Sequence, residues 1–111
     1  MSFRDDTMHL RDILEAVDRI DSFIGDMGFD AYCNDTKTRS AVERQMQILT
    51  EAAIRLGDNA DTVCPGPDWQ GYRRMGNVLR HMYHRVDDKI VWNTVKDDLP
   101  QLRAAVLRAL G

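Results

Sequence analysis

The amino-acid sequence predicts an all-α, single-domain bundle of about five helices. Apolar residues recur at three- and four-residue steps through most of the chain, and nothing alternates with the period of two that a strand requires. The breaks in that pattern fall at clusters of Gly, Pro, Asn and Asp. A length of 111 residues suits one core and is too short for two.

From Thr7 onward, Leu10, Ile13, Leu14, Val17, Ile20 and Ile24 form one helical stripe, with Asp5, Asp6 and Thr7 as candidate caps and an end expected near Met27 and Gly28. Phe29, Tyr32 and Cys33 fall in a connection. "NDTKTRS" supplies capping side chains for a second helix, whose face runs through Val42, Gln45, Met46, Leu49, Ala52, Ala53 and Leu56 and which Gly57 ends. "DNADTVCPGPD" reads as a loop, and Asp68 is placed to cap a third helix starting at Trp69. Along that helix Trp69, Tyr72, Gly76, Leu79, Met82, Tyr83 and Val86 make an apolar stripe, while Arg74, Asn77, His81 and then Arg85 or Asp88 make a polar one. Ile90, Val91, Trp92 and Val95 start a short fourth helix. Pro100 suits the first turn of a last helix carrying Leu102, Ala105, Val106 and Leu110. The expected core is aliphatic, with Trp69 and Trp92 at its ends. A bundle this small leaves one wide apolar face, so size alone makes a symmetric dimer an expectation.

Composition narrows the class. Hydrophobic residues at 43% and charged residues at 30% are ordinary for a globular protein, and no apolar run approaches the roughly 18 residues that span a bilayer. The opening "MSFRDDTMHLRD" has acids where a secretory signal has an apolar block, so a cytoplasmic location is expected. In that reducing compartment Cys33 and Cys64 are expected as thiols. Their spacing, and that of His9, His81 and His84, offers no four-ligand set, so neither a metal nor another cofactor is expected. A net charge of −3 argues against an indiscriminate nucleic-acid binder and leaves room for a local basic patch.

Such a patch exists. "RRMGNVLRHMYHRVD", residues 73–87, holds four arginines and two histidines with no carboxylate before Asp87. A solvated helix usually intersperses the two signs, so this one-sided run suggests contact with an anion. On a helix, residues seven apart return to within about 20° of one another, which aligns Arg74 with His81 and leaves Asn77 beside them. An imidazole ordinarily exchanges protons near neutrality, a guanidinium offers a fixed charge and a fork of donors to phosphate oxygens, and an amide can orient a hydroxyl. Those parts suffice for metal-free cleavage of RNA, whose own 2′-hydroxyl is the nucleophile. The commoner meaning of an Arg and His cluster is a solvated face or a docking patch. By the same standard Tyr83 is by default a packing residue, Glu51 a surface helix residue and His9 inert.

The segments "HLRDILEAVDRI", "AVERQMQILTEAAIRL" and "DWQGYRRMGNVLRHMYHRVDDKIVWNTVKDDLPQL" together resemble the HepT-like branch of the HEPN superfamily over nearly the whole chain. The last segment is the specific one, through Trp69, Asn77, His81, Tyr83, Val86, Asp87, Val91, Trp92, Leu99 and Pro100. The resemblance implies an all-helical homodimer whose arginines and histidines meet at the interface in one composite, metal-independent ribonuclease site acting on RNA. It also implies a toxin neutralised by a minimal nucleotidyltransferase antitoxin that attaches AMP to Tyr83. A bulky anionic adduct there would repel and obstruct RNA.

One departure stands out. Gly76 occupies the position of the family's usual arginine, and Arg74 lies two residues earlier. Arg74 and His81 still satisfy the superfamily's Arg-to-His spacing, with six residues between them. A two-residue shift rotates a helical side chain by about 200°, and only a long arginine stem compensates for part of that. The expected site is therefore Arg74 stabilising charge on phosphorus, Asn77 positioning and His81 transferring protons, with Arg73, Arg80 and Arg85 gathering RNA phosphates. The alternative is a catalytically silent or detoxified copy, a helical dimer that binds a nucleotidyltransferase partner without cutting. A third reading has the helical subunit present a small molecule to such a partner. Mid-helix glycine costs about 1 kcal/mol relative to alanine, so Gly76 requires a reason.

Overall fold

A computed structural model describes residues 3–81 and 86–111 of the chain. The described residues contain helices and no strand. The five helices expected from periodicity are present as α1 (Phe3–Ile24), α3 (Thr36–Leu56), α5 (Trp69–Arg80), α6 (Asp88–Asn93) and α7 (Leu99–Leu110). Two short ones, α2 (Phe29–Cys33) and α4 (Ala60–Val63), lie in segments whose composition reads as connection and loop.

Helix boundaries follow local chemistry. Helix α1 begins at Phe3, so Asp5 and Asp6 sit inside its first turn, where carboxylates complement the positive end of the helix dipole, and do not cap it. It stops at Ile24, earlier than the expected Met27, because Gly25 takes φ +53° while its N–H still reaches the Asp21 carbonyl at 2.9 Å. Asp35 caps α3 by accepting from the Thr38 N–H at 3.0 Å. That hydrogen bond holds the Asp35 carboxyl below its ordinary pKa. At the far end Gly57, at φ +57°, returns its N–H to the carbonyls of Ala53 and Ile54 and closes the helix as expected.

Helices α1 and α3 form the central pair, with α7 packed on α1 and α5 packed on α3. Their facing residues, among them Ile13, Val17, Ile20, Val42, Met46 and Leu49, are wholly or almost wholly buried. Burying such side chains is the main favourable term in a fold of this size. Trp69 lies inside the core and does not stand at its margin; its indole N–H donates to the Cys64 carbonyl at 2.8 Å. Trp92 is half-buried against Phe29 and Tyr32, with ring centroids 5.8 and 5.3 Å away, so it pins α2 to α6. Cys64 is buried, and neither it nor Cys33 forms a disulfide.

The end of α5 departs from expectation. The apolar period runs on to Val86, but α5 ends at Arg80, where His81 leaves the helical conformation at φ −107°, ψ 11°. The His81 N–H reaches back to the Val78 carbonyl at 3.2 Å, a tightened final turn. Asp87 then opens a new helix by accepting from the N–H groups of Lys89 and Ile90, so Asp88 belongs to α6 and not to a polar stripe on α5. Its carboxylate faces Arg39 at 3.5 Å in a mostly buried pair that ties α6 to α3. A π-helical turn, Thr94–Asp98, joins α6 to α7, and Pro100 sits in the first turn of α7 as its sequence position suggests. No helix among the described residues is long and apolar enough to cross a membrane.

Candidate active site

Helix α5 carries the basic run, and its start is well determined. Asp68 caps it by accepting from the Gly71 N–H at 3.0 Å, and the buried Trp69 anchors its first turn. From there Trp69, Tyr72, Gly76 and Leu79 face inward, while Arg74, Asn77, Val78 and His81 are exposed. The inward stripe thus ends at Leu79 in α5 itself, and Met82 and Tyr83 lie outside the described residues, as does Arg85.

The three side chains expected to do chemistry all reach solvent. Arg74 and Asn77 project from the helix proper, whereas His81 is its C-cap, so its imidazole stands on the edge where the helix stops. Among the described residues Arg74 makes no ion pair or hydrogen bond, which leaves its guanidinium available. Val78 stands among them 58% exposed, an apolar spot inside a polar face.

The other arginines are engaged with α3. Arg73 is half-buried and donates to the Gly57 carbonyl at 3.2 Å, capping the C-terminus of α3. Arg80 crosses to α3 and pairs with Glu51. Both were expected to gather phosphates; Arg73 holds the α3 end and Arg80 is held by a carboxylate. The polar partner missed by periodicity is Glu51, which is half-buried beside Arg80. Its signal was present in the order Arg44, Ile48, Glu51 and Arg55, a line at three- and four-residue steps along α3.

Gly76 has a packing reason. A Cβ built there would lie 2.9 Å from the Thr50 Cβ, closer than such atoms approach one another, and a tight 3.0 Å from the Ile54 Cδ1. The missing side chain lets α5 settle directly on α3. A side chain at position 76 of this chain would start against Thr50 and Ile54 of α3, beside the groove that Gly76 helps to line.

Two concavities flank α5. One, of about 530 Å³, opens between α1, α3 and α5 beside Arg80. The other, of about 460 Å³, lies between α5 and α7, lined by Tyr72, Met75, Thr94, Asp98 and Leu102, and touches none of the expected site residues. Burial, with Asp98 and Asp68 nearby, pushes the Tyr72 hydroxyl up and keeps it protonated. Among the described residues no three His, Cys, Asp or Glu side chains are placed to hold a metal ion.

The chain is thus a small all-α bundle whose basic helix ends in a solvent-facing histidine, and that is the structural class it falls in. Within that class, the family described as Ribonuclease HepT-like matches residues 13–109, and this chain belongs to it. It is 35% identical over 95 residues to a Thermococcus cleftensis protein named "Probable ribonuclease HepT", covering 86% of each chain. It is 30% identical over 106 residues to "Putative RNase MJ1380" of Methanocaldococcus jannaschii, covering 96% of this chain and 97% of that one. "Putative RNase MJ0127" of the same organism is 33% identical over 100 residues, covering 90% and 83%. No solved structure matches this chain.

The contact at Gly76 makes a direct prediction. Gly76→Ala, although alanine is the better helix former by about 1 kcal/mol, is expected to lower stability. Gly76→Arg is expected to cost about 1–3 kcal/mol or more through overpacking. Urea unfolding of the two variants checks this; midpoints equal to or above that of the parent would show that α5 does not sit against Thr50 as described.

Proposed function

We propose that the protein is an endoribonuclease that cleaves RNA without a metal ion, with His81 transferring protons, Arg74 stabilising charge on phosphorus and Asn77 orienting the substrate. The observation that carries this is the exposed trio on one side of α5 in a chain belonging to the ribonuclease family. In the proposed reaction the substrate's 2′-hydroxyl attacks the adjacent phosphorus as an imidazole takes its proton. The bond to the 5′-oxygen breaks, and that oxygen receives a proton. The product strand ends are a 2′,3′-cyclic phosphate and a 5′-hydroxyl. Arg74 meets the negative charge that builds on the phosphorus oxygens between those events.

In-line displacement sets the attacking 2′-oxygen and the leaving 5′-oxygen on opposite sides of phosphorus, so a single imidazole does not reach both. We therefore place the working unit as a homodimer in which two copies of His81 share one cleft. The exposed Val78 between Arg74 and His81 gives that face an apolar contact to bury. The protein acts as a toxin, and its antitoxin is a minimal nucleotidyltransferase that attaches AMP to Tyr83, two residues beyond His81. The adduct blocks RNA by charge and bulk. Arg85, outside the described residues, is proposed to bind phosphate as well. The silent-copy alternative drew its support from Gly76, whose packing against Thr50 and Ile54 supplies a different reason for that glycine.

Incubating the purified protein with RNA in EDTA is expected to yield cleavage that falls by two or more orders of magnitude in His81→Ala. Unchanged cleavage by that variant contradicts the role given to His81. Co-expression with a minimal nucleotidyltransferase is expected to add the mass of AMP to the parent and not to Tyr83→Phe. An adduct that persists in Tyr83→Phe rules out that tyrosine as the acceptor.

A further inference from the structure

The α1–α3–α5 groove has a charge arrangement that the fold does not require. Its cations are Arg44 and Arg55 of α3 and Arg80 of α5, facing the carboxylates of Asp12 and Glu51. In a chain of net charge −3 this wall is locally positive. Glu51 is shared between two of these arginines: one carboxylate oxygen lies 3.6 Å from the Arg55 Nε, and the other pairs with the Arg80 guanidinium. Each oxygen of the carboxylate thus meets a different arginine, from two different helices. A phosphate diester presents the same pattern with its two unesterified oxygens.

Exposed ion pairs contribute little to folding, so stability does not explain the arrangement. Position does. Arg44, Glu51 and Arg55 lie along one line of α3 that rises roughly 16 Å, and Arg80 is joined to His81 by a single peptide bond. The groove therefore runs from α3 to Arg80, the residue before His81; His81 itself does not line it. The close approach at Gly76 brings Arg80 within reach of Glu51.

Resting on the ribonuclease reading above, we propose that this groove receives the phosphodiester backbone of the RNA strand leading to His81. Glu51 acts as a placeholder: its carboxylate keeps Arg55 and Arg80 side by side until a substrate phosphate takes its place between them. Arg44, further along α3, meets a neighbouring phosphate. Glu51 opposes binding by competing with the substrate for the same guanidinium groups, and removing its charge frees them.

The test is fluorescence anisotropy with a labelled single-stranded RNA, in a His81→Ala background so that the probe stays intact. Glu51→Gln is expected to tighten binding several-fold. Arg55→Ala and Arg44→Ala are each expected to weaken it several-fold and to flatten the dependence of log Kd on log salt by about 0.7. Arg55→Lys, which keeps the charge, recovers part of the loss. These side chains reach solvent, and circular dichroism confirms that each variant is folded. If Glu51→Gln and both arginine variants bind RNA as the background protein does, the groove is not the strand's path; cleavage by the protein with His81 intact then leaves the ribonuclease reading standing. If that protein neither binds nor cleaves RNA, the ribonuclease reading fails and the groove proposal falls with it.

Discussion

The contact between Gly76 on α5 and Thr50 and Ile54 on α3 is the constraint on which the site depends. Packing helices at this distance requires a position without a side chain, and the chain accepts the helix-propensity cost of a mid-helix glycine to obtain it. Once α5 lies there, Arg73 reaches the carbonyl at the end of α3, and Arg80 reaches Glu51. The inward stripe of Trp69, Tyr72 and Leu79 then fixes the rotation of α5, and Arg74, Asn77 and His81 are left on the outside. A residue that looks like a loss beside the family pattern is, in this fold, the hinge of the arrangement.

The run of four arginines is consequently not one uniform patch. Arg73 completes the hydrogen bonding of a helix end, Arg80 is held in a groove by a carboxylate, and Arg74 reaches solvent without such a partner among the described residues. Elsewhere the acidic chain distributes its charges as ordinary surface pairs, such as Asp18 with Arg103 at 2.7 Å. The contrast between an acidic chain and a cationic edge on α5 supports an anionic substrate there, because a globally acidic protein repels nucleic acid except where such an edge is presented.

Much of this was legible in the order of residues. The helical period located α1, α3, α5 and α7, since amphipathic stripes of ten or more residues survive any uncertainty about their ends, and Ile90, Val91, Trp92 and Val95 marked the six-residue α6. Asp68, Gly57 and Pro100 marked boundaries correctly because capping chemistry is local. The end of α1 was misplaced because Gly25 and Gly28 are both plausible stops, and only the backbone shows which one takes a positive φ. The end of α5 was set beyond Arg80 for another reason: Leu79, Met82 and Val86 keep the helical spacing in the sequence, and periodicity carries no signal for the C-cap at His81. For the site, spacing identified the exposed trio but could not separate Arg73 and Arg80 from Arg74, since their partners Gly57 and Glu51 are distant in the chain. The packing role of Gly76 was invisible for the same reason.

The account stands or falls on the chemistry assigned to the edge of α5. Identifying the ends of the RNA fragments after cleavage in EDTA tests it most directly. Attack by the substrate's own 2′-hydroxyl leaves a 2′,3′-cyclic phosphate on one fragment and a 5′-hydroxyl on the other. Fragments bearing a 3′-hydroxyl and a 5′-phosphate would mean that water is the nucleophile, and the roles given to His81 and Arg74 would be contradicted.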